Sequence, residues 1–305
     1  MRVLFMGTPE YARRVLEALA TLPGNTVRAV SQPDRPKGRG MRLQPSPVSA
    51  WAQDHGLPLD RPQRLSDFAD SWQAFAPDLL ITAAYGRILP PWLLRLPRCG
   101  AYNLHASLLP RWRGPNPVGW ALWAGDSVTG VTLMKMAEGV DTGPIVASRP
   151  LAIAPEWDCG QLTAALAEEA AELIRAFWPR LCDPTLPVRP QAEEDATYAP
   201  KFPPEMGRVR WEGAAEEEAR RIRAVSPEPG AYAFWGDQRL KLAGARAEAV
   251  SLPVGEARLS GEDWIVGCGV GSLRIAQVQP AGRRWMRPAE WLRGRAGAEA
   301  TVKLT

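Results

Sequence analysis

Apolar residues in the first part of the chain fall in short unbroken runs that alternate with stretches of helical period. Residues 2–8 (RVLFMGT) form one such run and close on Gly7-Thr8-Pro9. That pattern predicts a buried strand leading into a helix, with Thr8 as its cap and Pro9 in its first turn. Val15, Leu16, Leu19 and Leu22 then follow at helical spacing over residues 11–22. Further strands are expected at 26–31 (TVRAVS), 78–84 (DLLITAA) and 101–105, and a helix at 47–55 capped by Ser46. A helix is expected to begin near Pro117. Residues 129–136 (TGVTLMKM) alternate as a half-buried strand that 145–153 can join as a hairpin, and 159–181 reads as a long amphipathic helix. Residues 32–47 (QPDRPKGRGMRLQPSP) hold so much Pro and Gly that no regular structure is expected there.

Alternating strands and helices predict an α/β, doubly wound, Rossmann-like domain over residues 1–190. A Pro-rich polar stretch without period follows, and residues 191–206 read as a linker. Beyond a helix at 214–223, short strand-like pieces (GAYAFW, QRLKLAGARAE, DWIVGCG, GSLRIAQVQP) are separated by Gly-containing turns. They predict a small OB-like β-barrel domain over 207–305. A length of 305 residues suits two domains better than one core.

Composition narrows the class. Hydrophobic residues at 46% and charged residues at 23% are those of a soluble globular protein. The N-terminal apolar run is too short for a secretory leader, and no stretch is long enough to span a bilayer. Cys99, Cys159, Cys182 and Cys268 stand apart with no C-x-x-C pair. That spacing predicts neither a disulfide framework nor a zinc site, and points to a reducing compartment, the cytoplasm. The net charge of +4 is small, but the cations are clustered. Arg35, Lys37, Arg39 and Arg42 face one nearby acid, Asp34; Arg274, Arg283, Arg284, Arg287, Arg293 and Arg295 face Glu290 alone. Two basic segments fit either solvated surface or a polyanion gripped in two places.

The densest chemistry is Asn103-Leu104-His105, with Asp141 further on. On a strand, residues 103 and 105 share a face, so the amide and the imidazole converge at the carboxyl end of a parallel strand, where open α/β sheets place their sites. On the residues alone, a structural hydrogen-bonded pair is the competing reading. His55, the second histidine, sits in a polar helix end and reads as surface.

The run NLHASLLPRWRG followed by EGVDTGPI resembles the signature of folate-dependent formyltransferases. MGTPEYA, SQPDRPKGRG, QPSPV, AAYGRILP, TYAPK and VQPAGRR resemble further segments of that family, in the same order and along nearly the whole chain. Their order is most similar to the branch whose acceptor is methionyl-tRNA. The resemblance implies formyl transfer from 10-formyltetrahydrofolate, without a metal, to the amino group of initiator methionyl-tRNA. It implies Asn103, His105 and Asp141 as the catalytic trio: Asn103 and a protonated His105 as donors to the oxyanion of the tetrahedral intermediate, Asp141 as the group that keeps His105 charged and relays a proton.

The same resemblance assigns the folate site to Arg87, Ile88 and Leu89 in AAYGRILP, with Val140 on the other wall and Ser107, Leu108, Leu109 and Pro110 shaping the turn beside His105. For tRNA it implies the loop carrying Arg35, Lys37, Arg39 and Arg42, then Lys201, and Arg283, Arg284 and Arg287 in the C-terminal domain. One composite tRNA face requires no more than a monomer. Two departures stand out: Pro115-Asn116-Pro117-Val118 replaces the family's usual Ala-Ala-Pro-Ile, and Arg283-Arg284 follows VQPAG where Lys is usual. A small-molecule amine as acceptor would require neither the basic loop nor the barrel. A dehydrogenase would need a further cofactor domain, and Gly7-Thr8-Pro9-Glu10 lacks the spaced glycines of a pyrophosphate cradle. A non-catalytic nucleic-acid-binding protein would not be expected to keep the trio intact.

Overall fold

The apolar runs become the central strands of a seven-stranded sheet. The computed structural model describes residues 1–37, 40–293 and 301–305. In chain order its first elements are β1 (Arg2–Gly7), α1 (Glu10–Ala20), β2 (Thr26–Val30), β3 (Arg35–Lys37), β4 (Arg42–Gln44), α2 (Pro47–Asp54) and β5 (Leu59–Asp60). They continue with α3 (Ala69–Phe75), β6 (Leu79–Ala83), α4 (Pro91–Leu94), β7 (Ala101–His105), α5 (Pro117–Ala124), β8 (Val128–Lys135), β9 (Ile145–Ala152) and α6 (Cys159–Phe177). The sheet order is β5-β2-β1-β6-β7-β8-β9. Its first five strands are parallel, and β8 and β9 add an antiparallel hairpin. Strand order reverses between β1 and β6, which opens a crevice at the carboxyl ends of the central strands.

Every residue of β6 is buried, as its lack of polar alternation requires of a central strand. Helix α1 buries Tyr11, Ala12, Val15, Leu16, Ala18 and Leu19 on one face. Ser46 caps α2, its hydroxyl accepting the Ser49 N–H at 3.0 Å. Thr8 is not the cap of α1. Pro9 holds the cap position with extended backbone, and Thr8, one residue too early, turns its hydroxyl to the Tyr85 carbonyl at 3.2 Å.

The Pro/Gly-rich segment, expected to be irregular, contains a hairpin, β3 against β4, in the register Arg35↔Gln44, Pro36↔Leu43, Lys37↔Arg42. A two-stranded ribbon tolerates Pro36 because its outer edges need no ladder donors. The isolated cysteines also misled, since Cys99 and Cys182 are joined in a disulfide, 83 residues apart. Cys99 lies two residues before β7, and Tyr102 on β7 donates its hydroxyl to the Leu181 carbonyl at 3.0 Å, which brings residue 182 alongside. Spacing along the chain carries no trace of that tertiary contact.

The chain divides into two compact units. The first comprises Met1–Pro117, Val128–Ala152 and Thr163–Pro200; the second comprises Val118–Ser127, Ile153–Leu162 and Lys201–Thr305. Within the second lie α7 (Ala215–Val225), β10 (Ala231–Trp235), β11 (Gln238–Glu248), β12 (Glu256–Ser260), β13 (Asp263–Gly267), β14 (Ser272–Pro280), α8 (Pro288–Arg293) and β15 (Thr301–Lys303). These strands form a curled antiparallel sheet of order β10-β11-β14-β13-β12-β15 over a core that includes Trp211, Ile222, Leu242, Trp264 and Ile275. Phe234 of β10 and Thr305 exchange a reciprocal pair of backbone hydrogen bonds at 2.7 and 2.9 Å. Arg221 of α7 stacks on Trp123, 4.6 Å from the ring centre, and is paired with Glu218 at 2.9 Å.

Candidate active site

Strand β7 delivers Asn103 and His105 to one face two residues apart, and Tyr11 of α1 pins the strand between them by donating its hydroxyl to the Leu104 carbonyl at 3.2 Å. Burial pushes the Tyr11 phenol up, so it stays a neutral donor. Asp141 comes from the loop between β8 and β9, at φ +54°, in the left-handed region that a non-glycine residue seldom occupies.

The three side chains meet. His105 Nδ1 lies 3.5 Å from Asp141 Oδ2, and Asn103 Nδ2 donates to Asp141 Oδ1 at 3.4 Å. The other ring nitrogen, Nε2, donates to the Trp112 carbonyl at 2.8 Å. A carbonyl only accepts, so Nε2 carries a proton and Nδ1 is the nitrogen that faces the carboxylate. Both ring nitrogens thus face acceptors. Thr82 of β6 donates its hydroxyl to Asn103 Oδ1 at 2.8 Å, which turns the amide's two N–H groups toward the site. Gly114 donates its backbone N–H to Asp141 Oδ2 at 2.9 Å and fixes that carboxylate. Thr82, Trp112 and Gly114 were not foreseen as participants; each acts across a tertiary contact, and Trp112 and Gly114 act through main-chain atoms that carry no residue-type signal.

A family model described as formyl transferase matches residues 1–177, and one described as formyl transferase, C-terminal domain, matches residues 201–296. The chain belongs to the formyltransferase family. A methionyl-tRNA formyltransferase of Thermus thermophilus is 44% identical over 304 residues, 99% of this chain and 98% of its own. One from Myxococcus xanthus is 43% identical, over 96% of this chain and 95% of its own. Among solved structures, HypX from Aquifex aeolicus in complex with tetrahydrofolic acid superposes with a TM-score of 0.69 at 21% identity. That match covers 96% of this chain and 47% of HypX, so the chain spans about half of HypX. An N-formyltransferase from Helicobacter canadensis, complexed with folinic acid and dTDP-3-aminofucose, gives 0.67 at 16% identity over 91% and 99% of the two chains. Both structures share the fold.

The remaining expected site residues of this formyltransferase have distinct surroundings. Ile88 is 78% exposed and Val140 53% exposed, on the loops that follow β6 and β8. Leu89 instead is buried in a cluster with Leu4, Met6, Val30 and Trp72. Arg87 donates to the Pro62 and Gln63 carbonyls at 3.2 and 3.0 Å. Ser107 is buried and donates to the Arg111 carbonyl at 2.6 Å, while its own carbonyl accepts from Thr132 at 2.7 Å. Leu109 packs with Met134 and Ile145, and Leu108 and Pro110 are half-buried beside it.

The basic segments are less cationic than their sequence suggests. In the second, Arg274 is paired with Glu248 and Asp263, Arg284 with Glu290, and Arg287 with Asp263 at 2.8 Å. The curled sheet brings Glu248 and Asp263 in from β11 and β13. Arg283 is exposed, as is Lys201. In the first segment Arg35 bonds Gln32, Arg42 is exposed, and Asp34 is occupied by Arg61 at 2.8 Å. Arg39 and Arg295 lie outside the described residues, and Lys37 is described only through its place on β3. Among the described residues no group of three or more His, Cys, Asp or Glu is placed to hold a metal, and no helix is long and apolar enough to cross a membrane.

Proposed function

We propose that this chain transfers the formyl group of 10-formyltetrahydrofolate to the methionine amino group of initiator methionyl-tRNA, giving N-formylmethionyl-tRNA for translation initiation. The observation that carries the reading is that Asp141 lies within 3.5 Å of both Asn103 and His105 at the carboxyl end of β7. Curated relatives 43–44% identical over nearly the full chain are named for this reaction.

The folate co-substrate supplies the formyl carbon that the amine attacks. As charge gathers on the formyl oxygen, the second N–H of Asn103 and the Nδ1–H of His105 donate to it. Asp141, anchored by the Gly114 N–H, faces the ring's Nδ1 and takes up, through water, the proton that the amine releases; as the tetrahedral intermediate collapses, the bond from the formyl carbon to N10 of the carrier breaks and that proton passes to N10, so that tetrahydrofolate leaves. The flat apolar face of the carrier fits against Ile88, on the loop after β6, and Val140, which directly precedes Asp141, both exposed apolar side chains. Leu89 supports that loop from the core side, and Arg87 ties it to residues 62–63.

We assign residues 1–190 to catalysis, 191–206 to the connection and 207–305 to tRNA, and read the curled sheet as an OB-like barrel, a reading supported by the Phe234–Thr305 pairing. Arg35, Lys37, Arg39 and Arg42, with Lys201, Arg283, Arg284 and Arg287, meet tRNA phosphates. The protein acts as a monomer in the cytoplasm, where charged initiator tRNA is used. The test is a competition between acceptors. Radiolabelled formyl should pass to methionyl-tRNA and be released as formylmethionine on mild alkaline hydrolysis; transfer to an amino-sugar nucleotide instead would overturn the tRNA reading.

A further inference from the structure

The segment 191–199, read from sequence as part of a linker, holds both partners of the His105 ring. Gln191 reaches the Asp141 loop with one amide nitrogen. Its Nε2 donates to the Asp141 carbonyl at 2.8 Å and to the Gly143 carbonyl at 2.7 Å. Its Oε1 accepts from Arg113 Nε at 3.0 Å, so the amide cannot turn over without setting oxygen against two carbonyls. Arg113 in turn is 1% exposed and grips Glu193 through two bonds of 2.8 Å. That pairing raises the guanidinium's already high pKa and holds the Glu193 carboxyl below its usual range.

The other side of the ring is secured by the same segment. Trp112, at φ +64°, presents the carbonyl that His105 Nε2 uses. Its N–H donates to Thr197 Oγ1 at 2.9 Å; Arg113 N–H donates to the Thr197 carbonyl at 2.8 Å, and Ala199 N–H to the Arg113 carbonyl at 2.7 Å. Two non-glycine residues in the left-handed region therefore flank the imidazole, each an unfavourable conformation that persists only where surroundings impose it. For Asp141 the imposing contacts are the amide of Gln191 and the N–H of Gly114.

We propose that Gln191 is a positioning residue for catalysis: it holds the Asp141 main chain, and with it the carboxylate that faces His105 Nδ1. It touches neither substrate nor reacting atoms. The inference rests on the assignment of Asp141 and His105 to the reaction above.

The test compares Gln191→Met, similar in size without donors, and Gln191→Glu, which keeps the oxygen for Arg113 but turns acceptors on the two carbonyls. In formyl transfer to methionyl-tRNA, below the unfolding range of each variant, kcat should fall about tenfold to a hundredfold, the scale of a misplacement near 1 Å, with both KM values within twofold of wild type. Unchanged kcat in a folded variant would overturn the proposal. A second readout does not depend on the acceptor. The chain has two histidines, so ¹⁵N-histidine labelling reports His105 beside His55 as an internal control. The His105 Nδ1 shift should move in Gln191→Met while His55 stays put; an unmoved His105 shift would overturn the proposal even if formyl transfer to tRNA stood. Wild-type inactivity on methionyl-tRNA together with a moved His105 shift would overturn only the proposed acceptor.

Discussion

Asp141 Oδ2 accepts the Gly114 N–H at 2.9 Å and faces His105 Nδ1 at 3.5 Å, so a single carboxylate oxygen joins a backbone anchor to the imidazole. Asp141→Asn preserves shape but removes the charge opposite the ring. Formyl transfer should fall by about 10²–10⁴, the usual scale for losing a positioned acid–base partner, while tRNA binding measured by filter retention is unchanged. A parallel loss of binding would move Asp141 from chemistry to substrate docking.

Gly114 itself cannot be varied. It sits at φ +117°, and a Cβ there would lie 3.0 Å from the Ala199 carbonyl oxygen. Gly114→Ala should lose about 1–3 kcal/mol in urea unfolding, with activity reduced as well. Wild-type stability in the variant would show that the 113–114 segment shifts freely.

Arginines that look alike in sequence should separate by experiment. Arg42→Ala and Arg283→Ala each remove an exposed cation, so each should weaken tRNA binding and flatten its log–log salt slope by about one. Arg274 is already held by Glu248 and Asp263. Arg274→Ala should lower the melting temperature and leave the salt slope alone.

The Cys99–Cys182 bond closes a separation of 83 residues at the amino end of β7, the opposite end of that strand from His105. Loop-closure reasoning gives it roughly 2–5 kcal/mol of stabilisation. Cys99→Ser should lower the unfolding midpoint under non-reducing conditions and leave kcat within twofold. Equal midpoints would mean that the pair is reduced in the purified protein.

Asp78 gives a pH signature. The Arg2 backbone N–H, bonded at 2.8 Å, and then the Arg98 guanidinium hold its carboxyl below the usual range. A depressed carboxyl stabilises the fold above its unfolded pKa, about 3.9, and loses that contribution as pH falls through the folded value. The stability gap between wild type and Asp78→Asn should therefore be largest near neutrality and close below pH about 4. A gap that widens in acid would contradict the pairing.

The sequence was most legible where the signal is local. Two-residue alternation put Asn103 and His105 on one face, the run at 78–84 announced a central strand, and Ser46 before Pro47 marked a helix start. What stayed hidden depends on contacts distant in sequence. No spacing pairs Cys99 with Cys182, brings Glu248 and Asp263 to Arg274, or sets the Gln191 amide beneath Asp141. The hairpin at 35–44 was missed for a different reason. Pro argues against a strand within a sheet, but an isolated two-stranded ribbon with open edges tolerates Pro36.

The central claim is that Asn103, His105 and Asp141 carry formyl transfer to methionyl-tRNA. Its most direct test is single-turnover transfer from 10-formyltetrahydrofolate to methionyl-tRNA, with wild type and His105→Ala side by side and tRNA binding followed in parallel. The account predicts that transfer collapses by about 10²-fold or more in the variant while tRNA still binds. Undiminished transfer by His105→Ala would contradict it.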